Sequence, residues 1–583
     1  MKDRQAIGID LGTSTSEICV YKNCQPFVVP SPASRSRSPI FPSLVAVNNR
    51  GELVVGEDAR PYVDLKGRGV REIKRKMGSG EAVALAGKQY RPEEISALIL
   101  RTLCQNVEEA LAIRVRSVVL SVPANFPDAA RQATLMAGEL AGLDVLRLIN
   151  EPTSAALAFG IDNIDAEEQL VVFDFGGGTL DITVLEMMAG VLDVKCSFGD
   201  PALGGKDFDE IMVTLILNKF QTAIPKAKIS ERSKLSLKDA AEKAKVSLSN
   251  QRSFPILIPN FAVRDGEPID LEVEITREEY EHALSPLLDR TRGCVRQALN
   301  AKKIRPSSVD RVLLVGGTTF VPCVRRLVAE MFGKEPQTDV NPDLAVAIGA
   351  SIQAALAQGI IDSEKGIILT DVAPFGMGIP VVSSEPGMPM TPYYDPLIQP
   401  NATIPYSHKK LYSLVTTTQT EMEIHLYQDH KGTARFPCDA IDTGILATIR
   451  DIPQSTSGVP HPVEVSFSYD INGLVKITAS IPNTGQAVDL EYRANAKRLT
   501  TEQKLESLSR VEDLWRSSPQ AKQYEALIGK ARQVLETLPE ETRKGLSLAI
   551  KELQDALIAN DESKIEVSGD RLTDLLFDLE NQI

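Results

Sequence analysis

Apolar residues recur along the chain in three successive textures. From residue 1 to about 365, short apolar runs alternate with segments of helical period. The runs AIGID (6–10), SVVLSV (117–122), LVVFDF (170–175) and RVLLVG (311–316) read as strands. The stretches near 92–112, 128–141, 235–249 and 277–300 read as amphipathic helices. Strands alternating with helices predict an α/β architecture with mostly buried sheets. From about 372 to 495 the pattern changes to period two, as in TEMEIHLYQ (420–428), PVEVSFSYD (462–470) and GLVKITASI (473–481). Asn472-Gly473 is a tight-hairpin signal, and this region predicts a compact antiparallel β domain. From about 499 helical spacing returns. Thr500 with Gln503 suggests a capping box, and Leu505, Leu508 and Trp515 follow on one face. Further helical runs carry Leu546, Ile550, Leu553, Leu557, Leu572, Leu575 and Leu579, predicting a small terminal bundle.

The stretch GIILTDVAP (366–374) separates the first two textures. Linkers are normally polar, so its apolar run is unusual. It reads either as an edge strand of one neighbour or as a segment that docks conditionally.

At 583 residues the chain has room for several cores. Its net charge of −14 argues against nucleic-acid binding as its main task. No run approaches the ~20 apolar residues of a membrane span. The start, MKDRQAIGIDLGT, lacks the apolar core of a secretion signal. The seven cysteines are scattered without a CxxC pair, as in a reducing cytoplasmic setting. The sequon at Asn401 carries no weight there.

One chemical plan occurs twice. IGIDLGTSTS (7–16) and VFDFGGGTLDIT (172–183) each run from an apolar strand ending in Asp, through Gly and Thr, into another strand. Glycine turns let backbone N–H groups approach an anion, and a strand-end Asp can hold a metal ion or its water. A third glycine turn, LLVGGTT (313–319), also follows an apolar strand. These turns predict a duplicated fold holding phosphates between its halves. No GxxxxGK[ST], HExxH or GxSxG motif occurs, and five histidines give His-centred catalysis little support.

Nine blocks then stand in the order of a known family: GIDLGTSTS (8–16), IKRKMG (73–78), VPANFPDAARQAT (122–134), LINEPTSAALAFG (148–160), FDFGGGTLDIT (173–183), LGGKDFD (203–209), AAEKAKVSLS (240–249), LLVGGTTFVP (313–322) and VNPDLAVAIGASIQ (340–353). The chain resembles the heat shock protein 70 family of DnaK-type chaperones over almost its whole length. Its short helical end is similar to divergent bacterial members of the HscC type. The resemblance implies a multidomain fold: an actin-like duplicated ATPase domain (1–365), an apolar linker (366–373), a β-sandwich substrate domain (374–495) and a short helical lid (496–583).

The resemblance also implies residue roles. Asp10, Asp174 and Asp181 would surround Mg2+. Gly12, Thr13, Ser14, Gly176, Gly177, Gly178 and Thr179 would line the phosphates of ATP or ADP, with K+ as a further candidate ion. Lys74 matches the lysine that places the attacking water, Glu151 the carboxylate beside it, and Thr179 the γ-phosphate sensor. Gly205, Glu242, Lys245, Ser249, Gly317, Thr318 and Asp343 match positions around the nucleoside. Phe320 replaces an arginine that packs on adenine, and Lys206 replaces a glutamate near the ribose. Arg131 and Pro152 match a nucleotide relay, and Arg147 and Asp371 match positions tied to J-domain stimulation. Ile379, Val382, Tyr412, Val415, Met422, Ile424 and Leu474 match the peptide groove. Partners implied are unfolded polypeptide, a J-domain co-chaperone and an exchange factor, with no nucleic acid or membrane.

On the residues alone, Lys74 also reads as one cation of a solvated basic face with Arg71, Arg75 and Lys76. Glu151 reads also as a helix cap, and Asp181 as a strand-surface acid. Two other functions fit parts of the pattern: a chaperone-derived exchange factor or scaffold with weak ATPase, and a small-molecule kinase of the same duplicated fold.

Overall fold

The two Asp-bearing repeats form matching hairpins in two separate sheets. In the first sheet Ala6–Leu11 pairs antiparallel with Thr15–Lys22 and parallel with Ser117–Val122, which in turn pairs parallel with Asp144–Asn150. In the second, Glu168–Phe175 pairs antiparallel with Leu180–Met188 and parallel with Arg311–Val315. The registers correspond: Asp10 lies opposite Glu17, and Asp174 opposite Asp181. Cross-strand neighbours share a face, so each hairpin sends two acids the same way.

This computed structural model describes residues 5–30, 38–111, 113–160, 166–188, 190–337, 340–361, 367–373, 375–382, 391–429, 432–482, 484–491, 501–518, 527–528, 530–531, 534–535, 540–559 and 562–580. Thr500 of the anticipated capping box lies outside the described residues.

Helix Ala345–Ala357 packs on the first hairpin and on helix Glu151–Gly160, burying Ala345, Val346, Ala350, Ile352, Ala354 and Ala355. Small residues permit that approach: a Cβ on Gly8 would meet the backbone of Ala350 and Ser351. The second lobe adds a sheet of Lys228–Ile229, Ser253–Arg264 and Glu267–Thr276, covered by helices Gly205–Ala223 and Glu231–Leu248. Ser230 caps the latter helix by accepting from Ser233 N–H. All seven cysteines are free thiols.

The β region forms two four-stranded sheets. One runs Tyr393–Ile398, Gly376–Val381, Met422–Asp429, Ile441–Ile449; the other Tyr406–Ser413, Pro462–Tyr469, Val475–Ile481, Gln486–Glu491. Alternation works as the sequence anticipates. Ile424 and Leu426 are buried between the sheets, Met422 is half-buried, and Glu421 and Glu423 are exposed.

The linker is an edge strand. Ile368–Leu369 pairs parallel with Val191–Asp200, with Ile368 N–H donating to Gly190 O (3.0 Å) and Thr370 N–H to Leu192 O (3.0 Å). Strand alternation splits the apolar run. Ile367 and Leu369 pack on the core, while Ile368 is 57% exposed.

Helix Thr501–Arg516 lies against helix Pro92–Leu111. Val511 and Trp515 join the first lobe's core, whereas Leu505 is exposed. Arg101 stacks 4.6 Å over the Trp515 ring and pairs with Glu512 at 2.9 Å. Arg510 donates to Glu94 Oε1 at 2.9 and 2.6 Å, and Glu94 is fully buried. Helices Glu540–Ala559 and Glu562–Glu580 pack together around Leu546, Ile550, Leu553 and Leu572. Among the described residues no helix is long and apolar enough to cross a membrane.

Candidate functional site at the interlobe cleft

A cleft opens between the two hairpins. Its walls include Asp10, Gly12, Thr13 and Ser14 from one lobe and Asp174, Gly176, Gly177, Gly178 and Thr179 from the other. Lys74, Glu151, Gly317 and Asp343 complete it, with Glu17 on its wall. The turns are built for close approach. A Cβ at Gly177 would run into Ser14 Oγ, and one at Gly204 into the Gly178 amide. These backbones therefore meet where side chains would keep them apart, and the turns are held by Gly12 N–H donating to Ser16 Oγ (3.2 Å) and Gly176 N–H to Thr179 O (3.1 Å).

Carboxylates crowd this cleft. Burial pushes Asp10, Glu151 and Asp174 above the usual carboxylate range, with Asp10 and Glu151 partly relieved by Lys74. Burial and the Glu151 charge push Asp181 up to about 7. Ser121 Oγ donates to Asp10 at 2.6 Å, and Asn125 donates to Asp181. Lys74, buried on the turn Ile73–Lys76, bonds Glu151. Burial opposes its charge, but Glu151 and Asp10 outweigh it and raise the ammonium above its ordinary value. The solvated-face reading of Lys74 and the surface reading of Asp181 therefore do not hold, since their exposures are 6% and 1%. Several buried acids around one lysine leave an excess of negative charge that a divalent cation would relieve. Among the described residues no three such side chains form a direct chelating cluster.

The outer positions are arranged around Gly176. Thr318 Oγ1 donates to Gly176 O (2.8 Å), as does Gly205 N–H (3.0 Å). Lys245 Nζ donates to Gly205 O (3.1 Å) and pairs with Asp209 (2.8 Å), and Ser249 Oγ donates to Lys245 O (3.4 Å). Glu242 lies close enough to act on Lys206 and Asp209. Phe320 is 45% exposed at the end of the turn Gly317–Phe320.

The relay residues meet at the domain junction. Helix Glu151–Gly160 carries Pro152 in its first turn, and Thr153 Oγ1 donates to the buried Asp371 at 3.1 Å. Arg131 donates to Asn150 Oδ1 (2.7 Å), Ala124 O (3.1 Å) and Asn472 O (3.2 Å). Leu148 N–H donates to Asn472 Oδ1 at 3.0 Å, and Val475 N–H to Asp128 Oδ1 at 3.3 Å. Gly473 sits at φ 71°, and a Cβ there would lie 3.3 Å from the Arg131 guanidinium. Arg147 faces Asp371 and Asp470, and its buried Nε has no hydrogen-bond partner among the described residues.

The groove positions divide. Ile379, Met422 and Ile424 lie in one β sheet and Tyr412 in the other, all at the core between the sheets. Val382 is half-buried beyond Gly376–Val381, and Val415 is exposed beyond Tyr406–Ser413. Leu474 stands apart from these, just after the Asn472-Gly473 turn that abuts the first lobe. Tyr412 pairs with Val463 and Val475 with Tyr469, so the two lie about 20 Å apart along that sheet.

Two residues escaped the sequence reading. Glu17 is buried, and its Oε1 has no hydrogen-bond partner among the described residues. Its seven-residue spacing from Asp10 equals that of Asp181 from Asp174, a signal present in the repeat. Glu72 pairs with Lys206, which turns toward the other lobe. No local pattern points to that contact.

The family model for Hsp70 protein matches residues 6–82 and 79–582. The chain is 38% identical over 597 residues to Chaperone protein DnaK of Thermotoga neapolitana, covering 98% of this chain and 96% of that protein. The DnaK of Thermotoga maritima is 38% identical over 590 residues, again covering 98% and 96%. That of Thermosipho melanesiensis is 36% identical over 590 residues, with the same coverage. With a cleft of this construction and a match along nearly its whole length, the chain belongs to the Hsp70 family of DnaK-type chaperones.

Proposed function

We infer that the chain hydrolyses ATP in the interlobe cleft and uses the cycle to bind and release extended apolar segments of unfolded proteins. One observation carries the reading. The helix whose first residue, Glu151, bonds Lys74 in the cleft is also bonded through Thr153 to Asp371, where the chain leaves the first domain. The cleft and the exit segment thus meet on the first turn of one helix.

Asp10, Asp174 and Asp181 would hold Mg2+, which supplies charge neutralisation for the phosphates. Gly12, Thr13, Ser14, Gly176–Gly178 and Thr179 would receive those phosphates. Gly205, Glu242, Lys245, Ser249, Gly317, Thr318, Phe320 and Asp343 would surround the nucleoside. Lys74 gives one of its three donors to Glu151, leaving two for a water and a phosphate oxygen. Glu151 fixes the lysine and faces the same water. Phosphoryl transfer asks for this kind of positioning and charge placement more than for a covalent nucleophile.

The described arrangement is the docked one, with linker, Asn472 turn and lid helix all seated on the first domain. ATP would favour it, and hydrolysis would release it so that the β domain and lid close on peptide. A J-domain partner would act at Arg147 and Asp371, and an exchange factor would reset the cleft. The test is ATP turnover titrated with apolar peptides. Peptide-stimulated turnover supports the reading. Turnover that needs a small-molecule phosphate acceptor points to a kinase, and negligible turnover with retained peptide binding to a scaffold.

A further inference from the structure

We propose that Lys206 and Glu72 form a latch between the two lobes beside the phosphate loop, with Lys206 acting through Glu72 as a positioning residue for Lys74. The proposal rests on the ATPase reading above.

Glu72 belongs to the first lobe and immediately precedes the turn Ile73–Lys76 that carries Lys74. Its backbone is left-handed, at φ 61° and ψ 26°. An L side chain adopts that conformation at a cost and keeps it only where its surroundings hold it. Lys206 belongs to the second lobe, in the first turn of helix Gly205–Ala223, and its own N–H donates to Gly177 O at 3.1 Å. The ion pair therefore ties the turn that carries Lys74 directly to the phosphate loop.

Other groups leave Lys206 little choice. Arg71 and Lys245 repel it, while Asp209 and Glu242 attract it. Asp209 is already paired with Lys245 at 2.8 Å, and Arg71 with Asp64 at 2.5 Å. Glu72 is the carboxylate within ion-pair distance of Lys206 among the described residues. Three further ties run the same way: Arg75 to Gly178 O at 2.9 Å and to Asp207 at 3.6 Å, and Arg71 to Asp239 at 3.9 Å. All of these join the segment 71–75 to the second lobe, and all must part when the lobes separate.

Burial and the Arg71 charge hold the Lys206 ammonium down to about 7. Lys206 is therefore mostly charged below that value, and the pair loses its positive partner as pH rises through it.

The test uses the full chain and four variants: Lys206→Glu, Glu72→Lys, the double charge swap, and Lys206→Arg. Stopped-flow dissociation of fluorescent ADP and single-turnover ATP hydrolysis are read for each. Either single reversal should speed ADP release about five- to tenfold and slow the chemical step, and the double swap should restore both. Wild-type ADP release should accelerate as pH rises through about 7, and the Lys206→Arg variant should not show that rise. Singles that release ADP at the wild-type rate, or a double swap without recovery, would overturn the latch. Wild-type protein that neither binds nor hydrolyses ATP would instead overturn the ATPase reading.

Discussion

Thr153 donates a hydrogen bond to Asp371 at 3.1 Å, joining the helix that starts at Glu151 to the segment leaving the first domain. Both residues are buried, so the bond is sheltered from water. Arg131 makes a second tie close by, reaching from Asn150, next to Glu151, to Asn472 in the β domain. A change at the cleft thus has two short routes outward, one to the linker and one to the β domain.

Lys74→Ala removes a buried cation from among the cleft carboxylates. Mg-ATP binding should persist, while hydrolysis should fall about a hundredfold, corresponding to roughly 3 kcal/mol of transition-state stabilisation. Single-turnover rates check this, and a wild-type rate in the variant removes Lys74 from the chemistry.

Phe320 stands on a turn pinned by Thr318 to Gly176 O and by Thr319 to Gly316 O, with its own ring half-exposed. A ring held this way is free to stack on a base. Phe320→Ala should weaken ATP by about 1–3 kcal/mol in calorimetric titration. Unchanged affinity would place the base elsewhere.

Proton release should accompany loading of the cleft. Asp181 holds its proton up to about pH 7, against 3.8 for an ordinary aspartate. Its contribution to stability is therefore greatest in acid and is lost as pH rises from about 4 to about 7. Unliganded protein should melt at progressively lower temperature across that window, and Asp181→Asn should flatten the slope. A cation-binding carboxylate must be ionised, so Mg-ATP binding below pH 7 should release about one proton. Calorimetry in buffers of different ionisation enthalpy reads that proton directly.

The lid contact offers its own reporter, because Trp515 is the chain's single tryptophan and lies buried against Arg101. Glu94→Gln weakens the charge-assisted bonds from Arg510. With Arg510 partly solvated, the docked lid should lose about 1 kcal/mol. Trp515 emission should shift to the red as the undocked fraction grows.

The two Asp hairpins, the glycine turns and the strand-helix alternation were legible because each is a local pattern with a local cause. Asp10 and Asp174 lie far apart in sequence, yet the repeat announces that they do the same thing. Ile368 and Leu369 were legible as an apolar run but not as opposites. Only the pairing with Val191 and Leu192 decides which of them faces the core. The Asn472-Gly473 turn was legible as a turn, while its seat on Leu148 and Arg131 was not. Helical spacing marked Trp515 as buried without saying that its partner would be Arg101. The Lys206–Glu72 pair left no trace at all, since contacts between distant segments depend on how the lobes close and not on local periodicity.

The central claim is that the linker couples the domains through a contact that can be made and broken. Leu369 is the residue to change, because it faces the core while Ile368 faces outward. Burying an aspartate there without a partner is costly, so Leu369→Asp should undock the linker and leave both domains folded. The decisive measurement is the dissociation rate of a bound apolar peptide, with and without ATP, in the wild type and in Leu369→Asp. The account predicts that ATP accelerates release in the wild type and has no effect in the variant, while basal ATP turnover continues in both. ATP-accelerated release in Leu369→Asp would contradict it and reduce the linker to a tether.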